Sequence, residues 1–132
     1  MIHTFNFRVY YEDTDAGGIV YHANYLKFAE RARTEFLHKI GLSNQKLLKK
    51  NMAFVVSKIE IDYKRPAVLE DNLTVETSIM KMGAATMLLR QDIKRQEEVI
   101  SNLKVSVAVV SLSEKRPVRL PEEFREKFEK FI

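Results

Sequence analysis

The chain contains no cysteine among its 132 residues. Disulfides, a thiol nucleophile and a cysteine-ligated zinc are therefore excluded. Its continuous apolar runs are also short, well below the roughly 20 residues that a membrane-spanning helix needs. The residues that follow Met1 lack the basic start and apolar core of a signal peptide. We therefore expect a cytoplasmic protein with no membrane span.

The composition is that of a globular protein with one sizeable core, because 45% of the residues are hydrophobic and 30% are charged. We expect residues 1–132 to form a single domain. The net charge of +4 favours an anionic ligand, such as a nucleotide-bearing cofactor. The basic residues are dispersed, with no Lys/Arg run and no aromatic-basic signature, so nucleic-acid binding is not expected.

The spacing of apolar residues predicts one long helix over 21–40, ended by Gly41, and a short helix over 45–50 capped by Ser43-Asn44. Alternation predicts a strand at 4–11 and four more after the helices, at 53–65, 73–82, 85–95 and 99–112. A last helix opens at Pro121. The fold class is therefore α+β, with an antiparallel sheet of about five strands curled around the long helix.

The segment between the first strand and the long helix carries the candidate chemistry. It holds three acids, two adjacent glycines and, at the predicted helix start, a histidine: Glu12, Asp13, Asp15, Gly17, Gly18 and His22. Glycines allow the backbone to approach a ligand closely, and a helix N-terminus presents unpaired N–H groups. An acid beside such donors is a catalytic pair, in which the donors stabilise developing negative charge.

Each of these residues also has a structural interpretation. Asp15 can simply bond to the local backbone, as acids before helices commonly do. Glu12 and Asp13 are expected to be solvated turn residues. His22 can be a general base or a polar residue of the first turn, and its backbone N–H can matter more than its ring.

Outside this segment the sequence is less specific. Val55, Ile59, Ile61 and Tyr63 share one face of their predicted strand, and Ser57 takes an inward position among them. That hydroxyl is either a satisfied core group or part of a pocket wall. No set of His and carboxylate residues has metal-ligand spacing, so no metal is expected. A nucleophile elbow, a P-loop and a dinucleotide fingerprint are also absent from the sequence.

Residues 11–25, Y-E-D-T-D-A-G-G-I-V-Y-H-A-N-Y, resemble the signature of hot-dog-fold acyl-CoA thioesterases. Within the 4-hydroxybenzoyl-CoA thioesterase group the resemblance is closest to the Tol-Pal-associated, YbgC-like branch. Segments 30–35, 62–67 and 116–121 also look like that branch. The resemblance covers nearly the whole chain, and its D-x-D-x-G-G-I-V-Y-H-x-x-Y motif is specific.

The resemblance implies a hot-dog fold, in which a five-stranded antiparallel sheet wraps one central helix and a short helix ends the chain. It implies homodimers, often assembled into homotetramers, with active sites at the subunit interface. Asp15 takes the place of the catalytic carboxylate, and the backbone N–H of His22 that of the thioester-polarising donor. The His22 side chain is itself a family feature that can orient water or Asp15. No cofactor is required, since coenzyme A is part of the substrate.

Two further sets of residues complete the expected site. The acyl pocket is expected at Gly17, Gly18, Ile19, Val20, Tyr21, Tyr25 and Ser57. The candidate contacts to the phosphates of coenzyme A are Lys58, Lys64, Arg90, Lys94 and Arg95, although charges near a hairpin tip are also commonly just solvated.

The expected reaction is hydrolysis of an acyl-CoA thioester to a free acid and coenzyme A. Asp15 can act as a nucleophile through an anhydride or as a general base toward water, and the sequence leaves both routes open. Two other functions also remain open: a hot-dog acyl-thioester dehydratase, and a non-catalytic module that binds an acyl carrier protein or the lipid machinery. An acyl carrier protein can also replace coenzyme A as the carrier.

Overall fold

The computed structural model describes residues 1–132. It contains six strands and three α-helices. In chain order they are β1 (His3–Arg8), α1 (Asn24–Lys39), α2 (Asn44–Lys49), β2 (Met52–Tyr63), β3 (Asn72–Met82), β4 (Thr86–Arg95), β5 (Glu98–Ser111), β6 (Arg116–Pro117) and α3 (Glu122–Glu129). A single 3₁₀ turn, Tyr11–Asp13, lies between β1 and α1.

The strands form one antiparallel sheet in the order β1-β3-β4-β5-β2, and the two-residue β6 pairs with β5. The long helix α1 packs on the inner face of this sheet, closest to β3 and β1. The predicted α+β architecture is therefore confirmed, with the short β6 as an addition. Because α1 lies toward the β1 side, it leaves the inner face of β2 only partly covered.

The core fills the space between α1 and the sheet. Inward residues of the strands, such as Val75 on β3 and Val105 on β5, are wholly buried. From α1, Phe28, Ala29 and Ala32 pack against them with at most 1% exposure. Burying a side chain the size of Val or Phe contributes about 1.5–3 kcal/mol, so this interior dominates the stability of the fold.

The two largest differences from the predicted boundaries both shape the segment between β1 and α1. The first strand ends at Arg8 rather than at residue 11, because Tyr11–Asp13 curl into the 3₁₀ turn. The helix α1 begins at Asn24 rather than at residue 21, because the preceding residues form a turn closed by the Asn24 N–H and the carbonyl of Tyr21. The segment that connects β1 to α1 is therefore longer than the sequence predicts.

A β-bulge in β2 corrects the prediction for Ser57. The pairing of β2 with β5 shifts between Val56 and Lys58, so Ser57 is an extra residue in its strand. Val56 pairs with buried Val107 on the inner face, which turns Val55 outward. The prediction that Ser57 and Val55 face inward with Ile59 is wrong: Ser57 is exposed, and its hydroxyl donates to the carbonyl of Ser106. One inserted residue reverses the alternation of faces that a strand pattern assumes.

Candidate active site

Residues 14–20 fold into a tight hairpin loop that carries Asp15 at its base. Thr14 and Val20 form an isolated β-bridge, and the Asp15 N–H donates to the carbonyl of Ile19 at 2.9 Å. The Gly18 N–H returns to the carbonyl of Asp15 at 3.0 Å. Gly18 has φ of +80°, a left-handed conformation that residues with a Cβ rarely adopt. The turn is therefore built on this glycine.

The far end of the loop is fastened to the segment between β2 and β3. The Val20 N–H donates to the carbonyl of Ala67 at 2.9 Å, and Ile19 pairs with Val68 in a second isolated bridge. Ala67 is completely buried, and its own N–H donates to the hydroxyl of Tyr25 on α1. The loop is thus held against both the sheet connection and the first turn of the helix.

The carboxylate of Asp15 is exposed in the isolated chain. One of its oxygens accepts a hydrogen bond from the Gly17 N–H at 2.8 Å, and the other has no partner within the chain. A Cβ added to Gly17 would lie 3.2 Å from the bonded oxygen. Both interpretations of Asp15 thus find support: it makes the local backbone bond, and it also keeps a carboxylate oxygen free to meet a ligand.

His22 lies in the turn immediately before α1. The backbone N–H groups of His22 and Ala23 have no hydrogen-bond acceptor within the chain. They precede a 16-residue helix, whose dipole gives this end a partial positive charge. Two free donors at a helix N-terminus can bind a carbonyl oxygen and stabilise it as negative charge develops.

Beside His22 a cavity of about 270 Å³ opens between the loop and the end of β2. Its wall includes Ile19, Val20, His22, Tyr25, Tyr63, Lys64, Arg65 and Pro66. The hydroxyl of Tyr63 donates to the carbonyl of His22 at 2.9 Å, and the two rings meet edge to face. Burial raises the pKa of both Tyr25 and Tyr63, so both remain neutral hydrogen-bonding phenols at neutral pH.

Asp13 plays a part that its sequence position did not reveal. It was expected to be a solvated turn residue, and this is wrong: Asp13 is only 3% exposed. Its carboxylate accepts hydrogen bonds from the Tyr10 N–H at 2.8 Å and from the side-chain amide of Asn24 at 2.9 Å. Its carbonyl accepts from the Tyr21 N–H. Asp13 therefore joins the end of β1 to the start of α1, across the base of the loop that carries Asp15.

A family model described as the thioesterase-like superfamily matches residues 9–128 of this chain. The chain belongs to this superfamily. The acyl-CoA thioesterase YbgC of Haemophilus influenzae is 47% identical to it over 126 residues, which cover 95% of this chain and 93% of that protein. This thioesterase-like chain therefore has a relative that is similar along nearly its whole length.

Solved structures agree with that assignment. A probable thioesterase from Bartonella henselae superposes with a TM-score of 0.87 at 39% identity, covering 92% of this chain and all of that one. A Staphylococcus aureus protein solved in complex with CoA has a TM-score of 0.93 at 18% identity, covering 99% of this chain and 84% of that one, which shows the shared fold alone. The predicted hot-dog fold of this thioesterase-like chain is confirmed.

The five cations proposed to contact coenzyme A lie in different surroundings. Four of them are ion-paired within the chain: Lys58 with Glu60 at 3.0 Å, Arg90 with Asp92 at 3.2 Å, Lys94 with Glu76 at 3.3 Å and Arg95 with Asp71 at 2.9 Å. Only Lys64 lines the cavity beside His22, and it has no carboxylate partner. Lys64 is therefore the cation of this set that is best placed for a ligand's phosphates.

Two other features bear on the chemistry. The structure contains no group of three or more His, Cys, Asp or Glu side chains arranged to hold a metal ion. None of its helices has the length and apolar character needed to cross a membrane. The groups available for chemistry around the loop are the carboxylate of Asp15, the backbone N–H groups of His22 and Ala23, and the hydroxyls of Tyr25 and Tyr63.

Proposed function

We propose that this protein hydrolyses acyl-CoA thioesters to a free acid and coenzyme A. The observation that carries this proposal is the pairing of a carboxylate that has a free oxygen, Asp15, with the unpaired N–H groups of His22 and Ala23 in one short segment. A thioester needs both an oxygen nucleophile or base and donors for the carbonyl oxygen. The name of the Haemophilus influenzae relative, an acyl-CoA thioesterase, supports the same reaction.

In the proposed mechanism the carbonyl oxygen of the thioester accepts a hydrogen bond from the His22 N–H. Asp15 then attacks the carbonyl carbon, and the C–S bond breaks to release the coenzyme A thiolate and leave a mixed anhydride, which water hydrolyses. Alternatively, Asp15 takes a proton from water as the water oxygen attacks the same carbon, the C–S bond breaks, and the departing thiolate takes up the proton from Asp15. Losing an oxyanion donor typically costs about 10²–10³-fold in turnover. Both routes require an ionised Asp15.

The thioester end of the acyl group would lie against the loop, with Gly17 and Gly18 allowing close approach and Ile19, Val20, Tyr21 and Tyr25 forming the wall. Lys64 would bind a phosphate of coenzyme A, while Lys58, Arg90, Lys94 and Arg95 stay weaker candidates because each already has a carboxylate partner. Coenzyme A enters only as part of the substrate. Residues 1–132 would act as one domain.

We also propose a homodimer formed through β2. This 12-residue strand is at the edge of the sheet, and its backbone pairs only with β5. Unpaired edge strands readily pair with another chain. On the inner face Val56 and Tyr63 are 45% and 48% exposed, because α1 packs closest to β3 and β1 and covers them only in part. A second copy would complete the sheet and cover these side chains, which brings the active sites to the subunit interface.

The remaining parts of the proposal rest on the family resemblance. Two such dimers would associate into a homotetramer. The protein would work in the cytoplasm, in association with the Tol-Pal system, and the acyl carrier would be coenzyme A or an acyl carrier protein. Binding of nucleic acid is not part of the proposal, because the basic residues do not form a continuous run.

A thiol-release assay with a panel of acyl-CoA substrates tests the function. The wild-type protein should release free thiol, and Asp15→Asn should lower turnover by about 10³-fold or more, as loss of a main catalytic group does. Glu12→Gln, which removes a neighbouring exposed acid, is the matched control and should keep wild-type activity. Full activity in folded Asp15→Asn would contradict the assignment.

The same assay separates the other two functions. A dehydratase would change the acyl chain without releasing thiol, and it would depend on the His22 ring. A non-catalytic binding module would bind its partner tightly with negligible turnover, and Asp15→Asn would leave that turnover unchanged.

A further inference from the structure

A second cavity, of about 160 Å³, lies between the C-terminal half of α1 and the inner face of the sheet. We refer to it as the Arg33 cavity. Eight of its twelve lining residues are hydrophobic, among them Phe54 and Val56 of β2. A dry cavity of similar size is known to hold a benzene molecule, so a group of about six carbons fits here.

The polar residues of the cavity wall are Glu30, Arg33, Thr34 and Asn44, and the guanidinium of Arg33 is held in place from beneath. One of its nitrogens donates to the side-chain oxygen of Gln91 at 2.9 Å. Gln91 is completely buried, and its amide nitrogen donates to the Ala29 carbonyl at 3.0 Å and to the Thr77 hydroxyl at 3.1 Å. Because both amide donors are engaged, Gln91 must present its oxygen to Arg33, and the guanidinium keeps one position.

The charge of Arg33 is not neutralised within the chain. No carboxylate oxygen lies within 4.0 Å of it. Burial lowers the pKa of Arg33, and the charge of Glu30, one turn earlier and exposed to solvent, opposes that effect. A guanidinium has five N–H donors, of which the chain uses one. Arg33 is partly buried, and Glu30 in the cavity wall forms no ion pair with it, so the remaining N–H donors of Arg33 can bind an anion.

The position of the Arg33 cavity relates it to the catalytic loop of a second copy. Arg33 follows Asn24 by nine residues, about 13 Å along α1, so a short acyl group does not span both within one chain. In the proposed dimer, antiparallel pairing about the middle of β2 sets Phe54 of one copy opposite the Tyr63 end of the other, with Val56 near the two-fold axis. The cavity of one protomer then adjoins the loop that carries the other's Asp15.

We propose that the Arg33 cavity receives the acyl end of the substrate and that Arg33 selects acyl groups ending in a carboxylate. This inference rests on the proposed thioesterase function and names its substrate class: the thioester of a short dicarboxylic acid. The apolar wall binds the methylene chain, and the guanidinium binds the terminal carboxylate through charge-assisted hydrogen bonds. Arg33 is thus a specificity-determining residue, while Asp15 does the chemistry.

The test compares adipoyl-CoA with hexanoyl-CoA, which have six carbons each and differ by one terminal carboxylate. Wild-type kcat/KM should favour adipoyl-CoA by at least about tenfold, since a site built around a polar group rejects the analogue that lacks it. Arg33→Met should lower kcat/KM for adipoyl-CoA by a similar factor, mainly through KM, and leave hexanoyl-CoA unchanged or improved. Arg33→Lys, which keeps the charge, should keep part of the preference.

Arg31→Met is the matched control, because Arg31 lies on the exposed side of the same helix and should not change the ratio. The inference is overturned if the wild-type protein prefers hexanoyl-CoA. It is also overturned if Arg33→Met lowers kcat/KM for both substrates equally, as expected if Arg33 has a purely structural role. Hydrolysis of many acyl-CoA substrates without a carboxylate preference defeats this inference and leaves the thioesterase proposal standing.

Binding provides a second readout that does not require turnover. Calorimetric titration of Asp15→Asn should show at least about tenfold tighter binding of adipoyl-CoA than of hexanoyl-CoA, and adding Arg33→Met should remove the difference. Equal binding of the two ligands overturns the selectivity. If neither thioester releases thiol in the presence of wild-type protein but the difference in binding persists, the thioesterase proposal fails while the carboxylate site stands.

Discussion

The carboxylate of Asp13 and the side-chain amide of Asn24 meet at 2.9 Å beneath the loop that carries Asp15, and both side chains are buried. The second oxygen of Asp13 accepts from the Tyr10 N–H at the end of β1. The Asp13 side chain therefore links the end of β1 directly to the N-terminus of α1. The spacing between Asp15 and the free N–H of His22 depends on that link.

We expect Asp13→Asn to lower kcat by about 10- to 100-fold with a smaller change in KM, because misplaced catalytic groups lose turnover before binding. An amide at this position cannot accept both hydrogen bonds. The double variant Asp13→Asn with Asn24→Asp reverses the donor and the acceptor, so it should recover most of the activity. Steady-state kinetics of the three proteins check this. No recovery in the double variant, together with normal folding, would show that Asp13 does not act through Asn24.

The two glycines of the loop should respond differently to alanine. Gly18→Ala forces a residue with a Cβ into a φ of +80° and should lower the free energy of unfolding by about 1–2 kcal/mol. Gly17→Ala places its Cβ 3.2 Å from the bonded oxygen of Asp15 and should reduce kcat by roughly three- to tenfold through displacement of the carboxylate. Urea unfolding and thiol release measure the two effects. Equal losses of stability in both variants would argue against this division.

His3 should make the stability of the protein depend on pH. Its ring stacks on Phe36, and its Nδ1 is buried with no hydrogen-bond partner. Burial lowers the pKa of His3, Glu35 partly opposes this, and Lys39 adds to it. Below about pH 6.5, His3 therefore binds a proton in the unfolded chain, while in the folded chain it stays neutral until a lower pH. The contribution to stability is present above that pH and is lost as the pH falls.

His3→Phe keeps the stacking and removes the titrating group. Between about pH 7 and pH 5 the melting temperature of the wild-type protein should fall more steeply than that of His3→Phe. His38→Gln, at an exposed histidine, should follow the wild-type curve. Parallel curves for wild type and His3→Phe would mean that His3 does not cause the pH dependence.

The proposed dimer predicts a strong effect at Val56. A lysine there would place a charge on the inner face of β2, where the second copy must pack, so Val56→Lys should be monomeric by sedimentation and should lose activity. Met80→Lys changes an equally exposed hydrophobic residue, 45% exposed, in β3 and should leave the dimer intact. A wild-type protein that sediments as a monomer would remove this proposal.

The periodic parts of the fold could be predicted from the sequence because local patterns determine them. The stripe of Tyr25, Phe28, Ala32 and Phe36 identified α1, and the hydroxyl of Ser43 does cap α2 by accepting from the Lys46 N–H. The segment from Glu12 to His22 is indicated by its acids, its glycines and its position between a strand and a helix. These features depend on neighbours within a few residues along the chain.

Other features could not be predicted because they depend on distant partners. The bulge at Ser57 exists only in the pairing of β2 with β5, and it decides which residues of β2 face inward. The burial of Asp13 depends on Asn24, eleven residues later, lying against it. The two-residue β6 depends on β5 extending past the start of β4, so that Val110 and Ser111 have one unpaired side. None of these partners is visible in a local pattern.

By itself, the sequence determined the order of the five long strands and the helices and the segment that carries the candidate catalytic groups, because both are encoded by residues close together along the chain. Only the tertiary structure decided that Asp13 is buried and links β1 to α1. It also decided that Arg33 donates to Gln91 beside a mostly apolar cavity and has no carboxylate partner. The physical reason is that burial and charge pairing are properties of the space between elements. That space forms only when α1 packs against the curled sheet.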